Sequence, residues 1–423
     1  MSTDVNVQYF SHLNGLALGN NWGDMIRLLD TCLVNGLAFS NITAASIDSN
    51  GDINLTFFAD HKALLFQIVE LTGFTPADIN GLYRIKGAPS SKQLILKAQL
   101  TGQTVLANGA AKLASLGYEI VFRDSGDVKR AYRAKNPSVN HPFIRVDETI
   151  SDGTNSYTST YAKYAMVGLI ENMTHIDDYE DTSKLQLPLN AGNYKLNWRI
   201  SGTGISVLRG WSKWYFAARS VGSGGDDTVS PANGNRPFTL CGDKNAFYLL
   251  NSYDLTSRDK KINGCGLFND NSFETSNIIP NWFLMSHLDS SSANSSSQPF
   301  NIVGGSTLTY QKEQACFFIP RYNLITRLSN NVKAYPIVPD YKTGHSDLNL
   351  TPIYEACFSI PIHDELARLR GDLKHINYVA SSSMFAITTT TPRLSNNSMF
   401  VNESCYNPNG LYTGVSFYLG ELE

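Results

Sequence analysis

Four carboxylates crowd one short stretch: Asp177, Asp178, Glu180 and Asp181. Oxygen donors at that density could hold a hard cation such as Ca²⁺. The stretch lacks the alternating spacing and the glycine of an EF-hand loop, so it reads as a solvated turn. Glycoside hydrolysis would need two carboxyls held a fixed distance apart across a sugar. The chain has many carboxylates, and nothing in their order selects a pair. The eight histidines are scattered, with no His-Glu-x-x-His or His-x-His to mark a metal hydrolase. Gly-x-Ser-x-Gly, the usual serine-hydrolase cue, is absent. Gly222-Ser-Gly-Gly225 is too short and wrongly flanked for a phosphate loop. His363, Asp364 and Glu365 lie on a short amphipathic stretch that reads as the end of a surface helix. Arg370-Gly371-Asp372 is a chance tripeptide. The strand RGWSKWYFAAR (209–219) could present aromatics to a sugar or to a neighbouring subunit; the simpler reading places them in a core. No residue is assigned a catalytic, cofactor-binding or metal-ligating role, and no cofactor is expected.

The remaining chemistry is equally dispersed. Cys32, Cys241, Cys265, Cys316, Cys357 and Cys405 stand far apart with no Cys-x-x-Cys. Disulfide frameworks and zinc sites both show closer spacing, so these read as buried thiols of a chain folded in a reducing compartment. Net charge is −3, too weak for electrostatic capture of nucleic acid. The local basic group Lys129, Arg130, Arg133 and Lys135 reads as a solvated strand face. The start, MSTDVNVQYF, has no basic region followed by an apolar core, so no secretory leader is expected. No apolar run approaches the ~18 residues of a membrane-spanning helix.

Charged residues make up only 17% of the chain, against ~25% in ordinary globular proteins. Asn, Ser, Thr, Gly and Tyr fill the difference, which suits strands and turns. One helix is expected near the start, where Met25, Leu29, Cys32 and Leu33 form an apolar stripe. Asn20 or Asn21 could cap it and Gly36 could end it. Strand candidates follow: INLTFF after an Asn50-Gly51 turn, ALLFQIVEL, INGLYRIKG and QLILKAQL. YEIVFRD and VKRAYRA make a hairpin about Ser125-Gly126. FIRVDE, TYAKYAMVGLI, YKLNWRI, KWYFAAR, RPFTLCGDKNAFYLLN, NWFLMSH, QACFFIP, YEACFSIP, SMFAITTT and LYTGVSFYLG continue the series. DSSSANSSSQ (289–298) and the glycines at 222–225 read as surface loops.

Four islands stand out in order: MIRLLDTCLVNG (25–36), YEIVFRDSGDVKRAYRAKNP (118–137), HPFIRVDE (141–148) and YAMVGLIENMTHIDD (164–178). Their order and spacing resemble a family of virion structural proteins of tailed bacteriophages. A later Gly-Asp turn, Gly242-Asp243 in RPFTLCGDKNAFYLL, and the segment IYEACFSIPIHDELARLRGDLKHI (353–376) fit the same pattern. Some relatives carry a small β-barrel between helix and hairpin, marked here by INGLYRIK (79–86).

The resemblance and the composition together lead to one set of expectations. The fold should be mainly β and multidomain, with a short N-terminal helix, a small β-barrel insert and a larger β-sandwich-like body. Residues 1–39 would form an N-terminal segment with the helix, 40–107 the inserted barrel, 108–150 a hairpin and strand completing the N-terminal domain, and 151–423 the body. The resemblance implies a non-enzymatic virion protein, assembled in the host bacterial cytoplasm. It would be an oligomeric accessory protein of the tail, neck (collar) or baseplate. Its partners would be copies of itself and other virion proteins, with no small-molecule substrate, nucleic acid or membrane. The alternatives are a capsid decoration protein, or a receptor- or glycan-binding protein that could also cleave glycans.

Overall fold

The computed structural model describes residues 3–101, 106–107, 109–138, 140–190, 192–219, 228–255, 260–269, 281–288, 317–320, 331–337, 357–379, 390–405 and 413–423. The chain is mainly β, with 49% strand and 8% helix, well beyond the ~20–25% strand of an average domain. Among the described residues, three large antiparallel sheets and one short α-helix dominate the architecture.

The largest sheet has twelve strands. Its order runs Gln8–Ser11, Phe238–Gly242, Ala246–Asn251, Lys261–Leu267, Trp282–Met285, Phe317–Pro320, Asn331–Pro336, Cys357–Asp364, Leu369–Val379, Thr413–Glu421, Ser398–Cys405 and Thr391–Ser395. The sheet rolls back on itself. Thr390 Oγ1 reaches Ser11 Oγ at 3.0 Å and Thr239 Oγ1 at 2.7 Å, joining its two ends. The Asp4 amide donates to the Glu421 carbonyl, and Asn269 bridges to Asp372. One core lies inside the roll, where Tyr248, Phe283, Ile362, Ile376 and Phe417 meet. Alternate residues of the same strands, such as Leu240, Phe247, Leu249 and Leu284, face a second core. Strands buried on both faces need apolar residues at every position, which explains runs such as AFYLLN. Each fully buried Leu or Phe there contributes about 1.5–3 kcal/mol.

The second sheet runs His287–Leu288, Ser212–Ala217, Lys163–Ile170, Phe143–Asp147, Lys129–Ala134 and Tyr118–Arg123, with Gln186–Leu187 also paired to Lys163–Ile170. It carries the chain across 150/151 without a break, because Phe143–Asp147 and Lys163–Ile170 are direct neighbours. The hairpin 118–134 turns on Asp124, whose carboxylate accepts from the amides of Gly126, Val128 and Lys129.

The third sheet contains the segment 40–107 and extends slightly beyond it. Its order is Leu37–Ala38, Ala110–Leu113, Ile68–Thr72, Gly81–Ser90, Gln93–Lys97, Ile53–Phe57 and Ile42–Ile47. Leu37 and Leu113 are register partners, so the chain enters and leaves at adjacent points. Gly36 makes this possible. Its φ is +73°, and a Cβ there would lie 2.2 Å from the Leu113 carbonyl oxygen. The expected small barrel is instead an open sheet. Among the described residues, the backbone links between its far sides are a Leu106 amide to Ala45 carbonyl bond and a Thr75–Ala107 bridge. Closure depends on stagger between strands, which a series of short strands does not encode.

The helix is short, Asp24–Leu29, and continues as a π-type turn over Asp30–Asn35 before stopping at Gly36. Met25, Leu29, Cys32 and Leu33 are fully buried, so this is a core helix. The expected asparagine cap is absent. Gly23 occupies the cap position with φ +86°, and Asn20 donates instead to the Pro231 carbonyl. Two further expectations fail. Residues 194–198 of YKLNWRI form turns, and only Ile200–Ser201 is strand. His363-Asp-Glu365 is no helix end; it leads the turn of the hairpin Cys357–Asp364/Leu369–Val379. Asp364 nucleates that turn by accepting from the amides of Leu366 and Arg368. SMFAITTT, apart from Thr390, lies outside the described residues, as do Gly222–Asp227 and 289–298.

Candidate functional site

The acidic stretch is occupied by the protein's own cations and amides. Asp177 lies 3.3 Å from Arg145 Nη2 and 3.4 Å from Lys129 Nζ. Asp178 pairs with Lys184 at 2.5 Å and also accepts from Thr174 and the His175 amide. Burial alone would raise the Asp178 carboxyl, but these donors outweigh it and hold it at about 2. Glu180 pairs with Lys195 at 3.0 Å, and Asp181 accepts from Ser183. Each carboxylate is thus committed to partners within the chain. Among the described residues, no group of three His, Cys, Asp or Glu converges as metal ligands.

The four sequence islands interlock. The π-turn of the first meets the hairpin of the second, where Asp30 accepts from Tyr132 Oη at 2.7 Å and pairs with Arg130 at 3.3 Å. The strand of the third meets the acidic end of the fourth through Arg145, whose Nε donates to the Ile176 carbonyl at 2.7 Å. That guanidinium lies 4.5 Å from the Tyr179 ring and 4.3 Å from the Trp198 ring, a cation held between two aromatics. The third island also returns to the first. The fully buried Glu148 carboxylate accepts from the amides of Gly23 and Ile26, so it caps the helix from 122 residues away in sequence. An anion there meets the free N–H groups and the positive end of the helix dipole. Sequence reasoning looked for a cap beside the helix and missed this one. The charged pair closing FIRVDE was the available signal.

Glu148 has a pH consequence. Burial pushes its carboxyl up to about 7, against the hydrogen bonds from Ile26 and Gly23 and the charge of Arg209. In an unfolded chain a glutamate titrates near ~4.3. Between those values the folded protein holds a proton that the unfolded chain has lost. This contribution to stability is complete below pH ~4.3 and is lost as pH rises through about 7. Glu148→Gln keeps an acceptor oxygen and removes the titration. Denaturant melts from pH 5 to 8 are expected to show a falling contribution in the wild type that is flattened in the variant. Equal slopes for the two proteins would refute the assignment.

The later Gly-Asp turn is another joint. Gly242 has φ +156°, and a Cβ there would meet the Ala246 carbonyl oxygen at 2.2 Å. Asp243 accepts from the amides of Asn245 and Ala246. Its Oδ2 lies 3.1 Å from Nε2 of His375, on the strand Leu369–Val379. His141 Nε2 lies 2.9 Å from the Asn245 side-chain oxygen, tying in the His-Pro break before FIRVDE.

The aromatics of RGWSKWYFAAR are core. The strand Ser212–Ala217 is buried at every position. Around it lies a cation–aromatic cluster. The Arg209 guanidinium stands 4.6 Å from the rings of both Trp22 and Tyr164, and Lys213 Nζ stands 4.6 Å from Tyr164. Arg209 donates to the carbonyls of Thr149 and Tyr164. Burial, with help from Arg236, lowers Lys163 to about 8. Only the rim is half-exposed, at Trp22 and Tyr161. Such a rim can stack on a planar or sugar ring, while the interior is filled by the protein's own side chains.

Cys32, Cys241, Cys265 and Cys405 are buried free thiols; Cys316 and the Cys357 side chain lie outside the described residues. Burial raises the first three thiols, which keeps them protonated and unreactive at neutral pH. No helix among the described residues is long and apolar enough to cross a membrane. No family model and no curated protein matches this chain.

Proposed function

We propose that this chain is a structural, non-catalytic component of a tailed-phage virion. It would act as an oligomeric accessory protein of the tail, neck or baseplate, with copies of itself and other virion proteins as partners. One observation carries the reading. The islands that resemble the phage family are joints: Asp30 to Arg130 and Tyr132, Arg145 to Asp177, and Glu148 to the helix amides. A resemblance seated in such joints supports a shared architecture. The candidate acidic residues, committed to internal partners, give no support to a shared reaction.

A density map of the intact particle tests this directly, with sedimentation of the purified chain beside it. The expected result is a symmetric set of copies at the tail, neck or baseplate. Density on the capsid shell would move the protein to the decoration alternative. A chain that sediments as a monomer at high concentration and is absent from particles would overturn the reading.

The glycan-binding alternative draws on the half-exposed Trp22 and Tyr161. Under it, a glycan array should show binding that Trp22→Ala abolishes, and a polysaccharide-clearing assay would reveal cleavage. Under the structural reading, Trp22→Ala costs stability alone, through its packing on Arg209, Tyr157 and Tyr164 and its hydrogen bond to the Ser159 carbonyl, about 1–3 kcal/mol.

A further inference from the structure

Lys260 and Glu403 meet inside the rolled twelve-stranded sheet. Both side chains are fully buried, and Lys260 Nζ donates to Glu403 Oε2. Glu403 falls on the row Met399, Val401, Glu403 and Cys405, whose three apolar members line the interior core. Lys260 stands one alternation before Ile262, which lines the same core. Side chains two apart on a strand share a face. Two opposite charges from positions 143 residues apart are thus enclosed in an apolar interior.

The pair is poorly satisfied. Glu403 Oε1 is buried and has no hydrogen-bond partner among the described residues. Taking an ion pair out of water is repaid only when its remaining lone pairs are met. A buried charge escapes that cost by becoming neutral. Here the proton can pass from Nζ to the carboxylate. That leaves a neutral amine, which is a nucleophile, held in contact with a carboxylic acid, which is its electrophile.

We propose that Lys260 and Glu403 condense into a side-chain amide, a covalent tie across the roll. The Nζ lone pair attacks Glu403 Cδ, the Nζ–Cδ bond forms and one Cδ–O bond breaks. Of the three protons on the ammonium, one stays on the amide nitrogen and two leave with that carboxyl oxygen as water. The step needs no oxidant, reductant or co-reactant. His12 is near enough to feel both charges, and burial lowers its pKa, so a neutral imidazole is at hand to carry a proton to the departing oxygen. The product is neutral, and the water it releases leaves an apolar interior, which hinders the reverse reaction. The tie goes beyond the assembly reading and does not depend on it.

Mass spectrometry of the wild-type chain, denatured and reduced, tests it. The expected mass is about 18 Da below that of the sequence, the loss of one water. A tryptic digest should contain a branched peptide joining residues 260 and 403, with no cleavage after Lys260. On a denaturing gel the chain should run ahead of Lys260→Met, because the tie closes a long loop in the unfolded protein. Lys260→Met combined with Glu403→Leu leaves no charge stranded in the core, so this paired variant should fold and show its full sequence mass. A folded wild-type chain at its full sequence mass overturns the proposal. So does a water loss that maps elsewhere, such as a cyclic imide at Asp152-Gly153.

Discussion

Arg84→Met is expected to lower stability by about 3–5 kcal/mol, measured by denaturant unfolding. Arg84 is fully buried. Its guanidinium donates to the carbonyls of Asp4 (2.7 and 3.0 Å), Val7 (2.9 Å), Phe66 (2.7 Å) and Leu419 (3.0 Å). Those carbonyls belong to the N-terminal segment, the segment between Leu37 and Leu113, and the last strand, so one side chain joins three parts of the chain. Burial lowers its pKa to about 10, which leaves it charged at neutral pH. Met keeps much of the stem volume and abandons four carbonyls at once. Each unmet buried acceptor costs about 1–3 kcal/mol, partly relieved by local movement. Arg84→Lys supplies one compact ammonium where a planar fork served four oxygens, so it should fall between. A loss below about 1 kcal/mol for Arg84→Met would overturn the account. The same geometry bears on excising 37–113. The chain ends would meet, since Leu37 and Leu113 are partners, but Gln8 and Asn14 would lose their partners in Ile68 and Gln67. A folded excision product therefore requires those polar side chains to be replaced as well.

The parts of the fold that were legible in the sequence are local. The turn at Asn50-Gly51 appears where expected, with Gly51 at φ +79°, because neighbours in sequence set it. The hairpin about Ser125-Gly126 follows the same logic, with Asp124 supplying the acceptors. The apolar stripe Met25, Leu29, Cys32 and Leu33 correctly gave a helix packed in the core. What the sequence hid depends on distant partners. HDELARLR has helical propensity, yet pairing of Cys357–Asp364 with Leu369–Val379 overrides it and turns Ala367 to φ +59°. Tyr194–Trp198 looked like strand and folds as turns, placing Trp198 over Arg145. The acidic stretch could be read as solvated or metal-binding, because Arg145, Lys129 and Lys195 stand 15 to 48 residues away from their carboxylates.

Arg145 carries the second large expected effect. Its guanidinium lies between Tyr179 and Trp198, donates to the Ile176 carbonyl, and pairs with Asp177 and, at 3.1 Å, with the buried Asp147. Burial would raise the Asp147 carboxyl, yet the charge of Arg145 and the hydrogen bonds from Thr149 hold it below the ordinary carboxylate range. In the wild type, Asp147 therefore adds stability that is present above the unfolded value of ~3.9 and is lost as pH falls through the depressed folded value. Arg145→Ala inverts that sign. The buried carboxylate loses its main compensation and its pKa rises, so the folded variant carries the deficit when ionised. The expected loss is about 3–5 kcal/mol at pH 7, smaller near pH 4.5, where the stranded group can hold a proton. Trp198 emission should change, since the cation on its face is gone. Asp147→Asn in the Arg145→Ala background removes the stranded charge and should recover at least ~1 kcal/mol at pH 7, a coupling read from the double-mutant cycle. If the two changes simply add, and the loss is the same at pH 4.5 and pH 7, then Arg145 acts through its stacking on the two rings and the ion pair contributes nothing of its own.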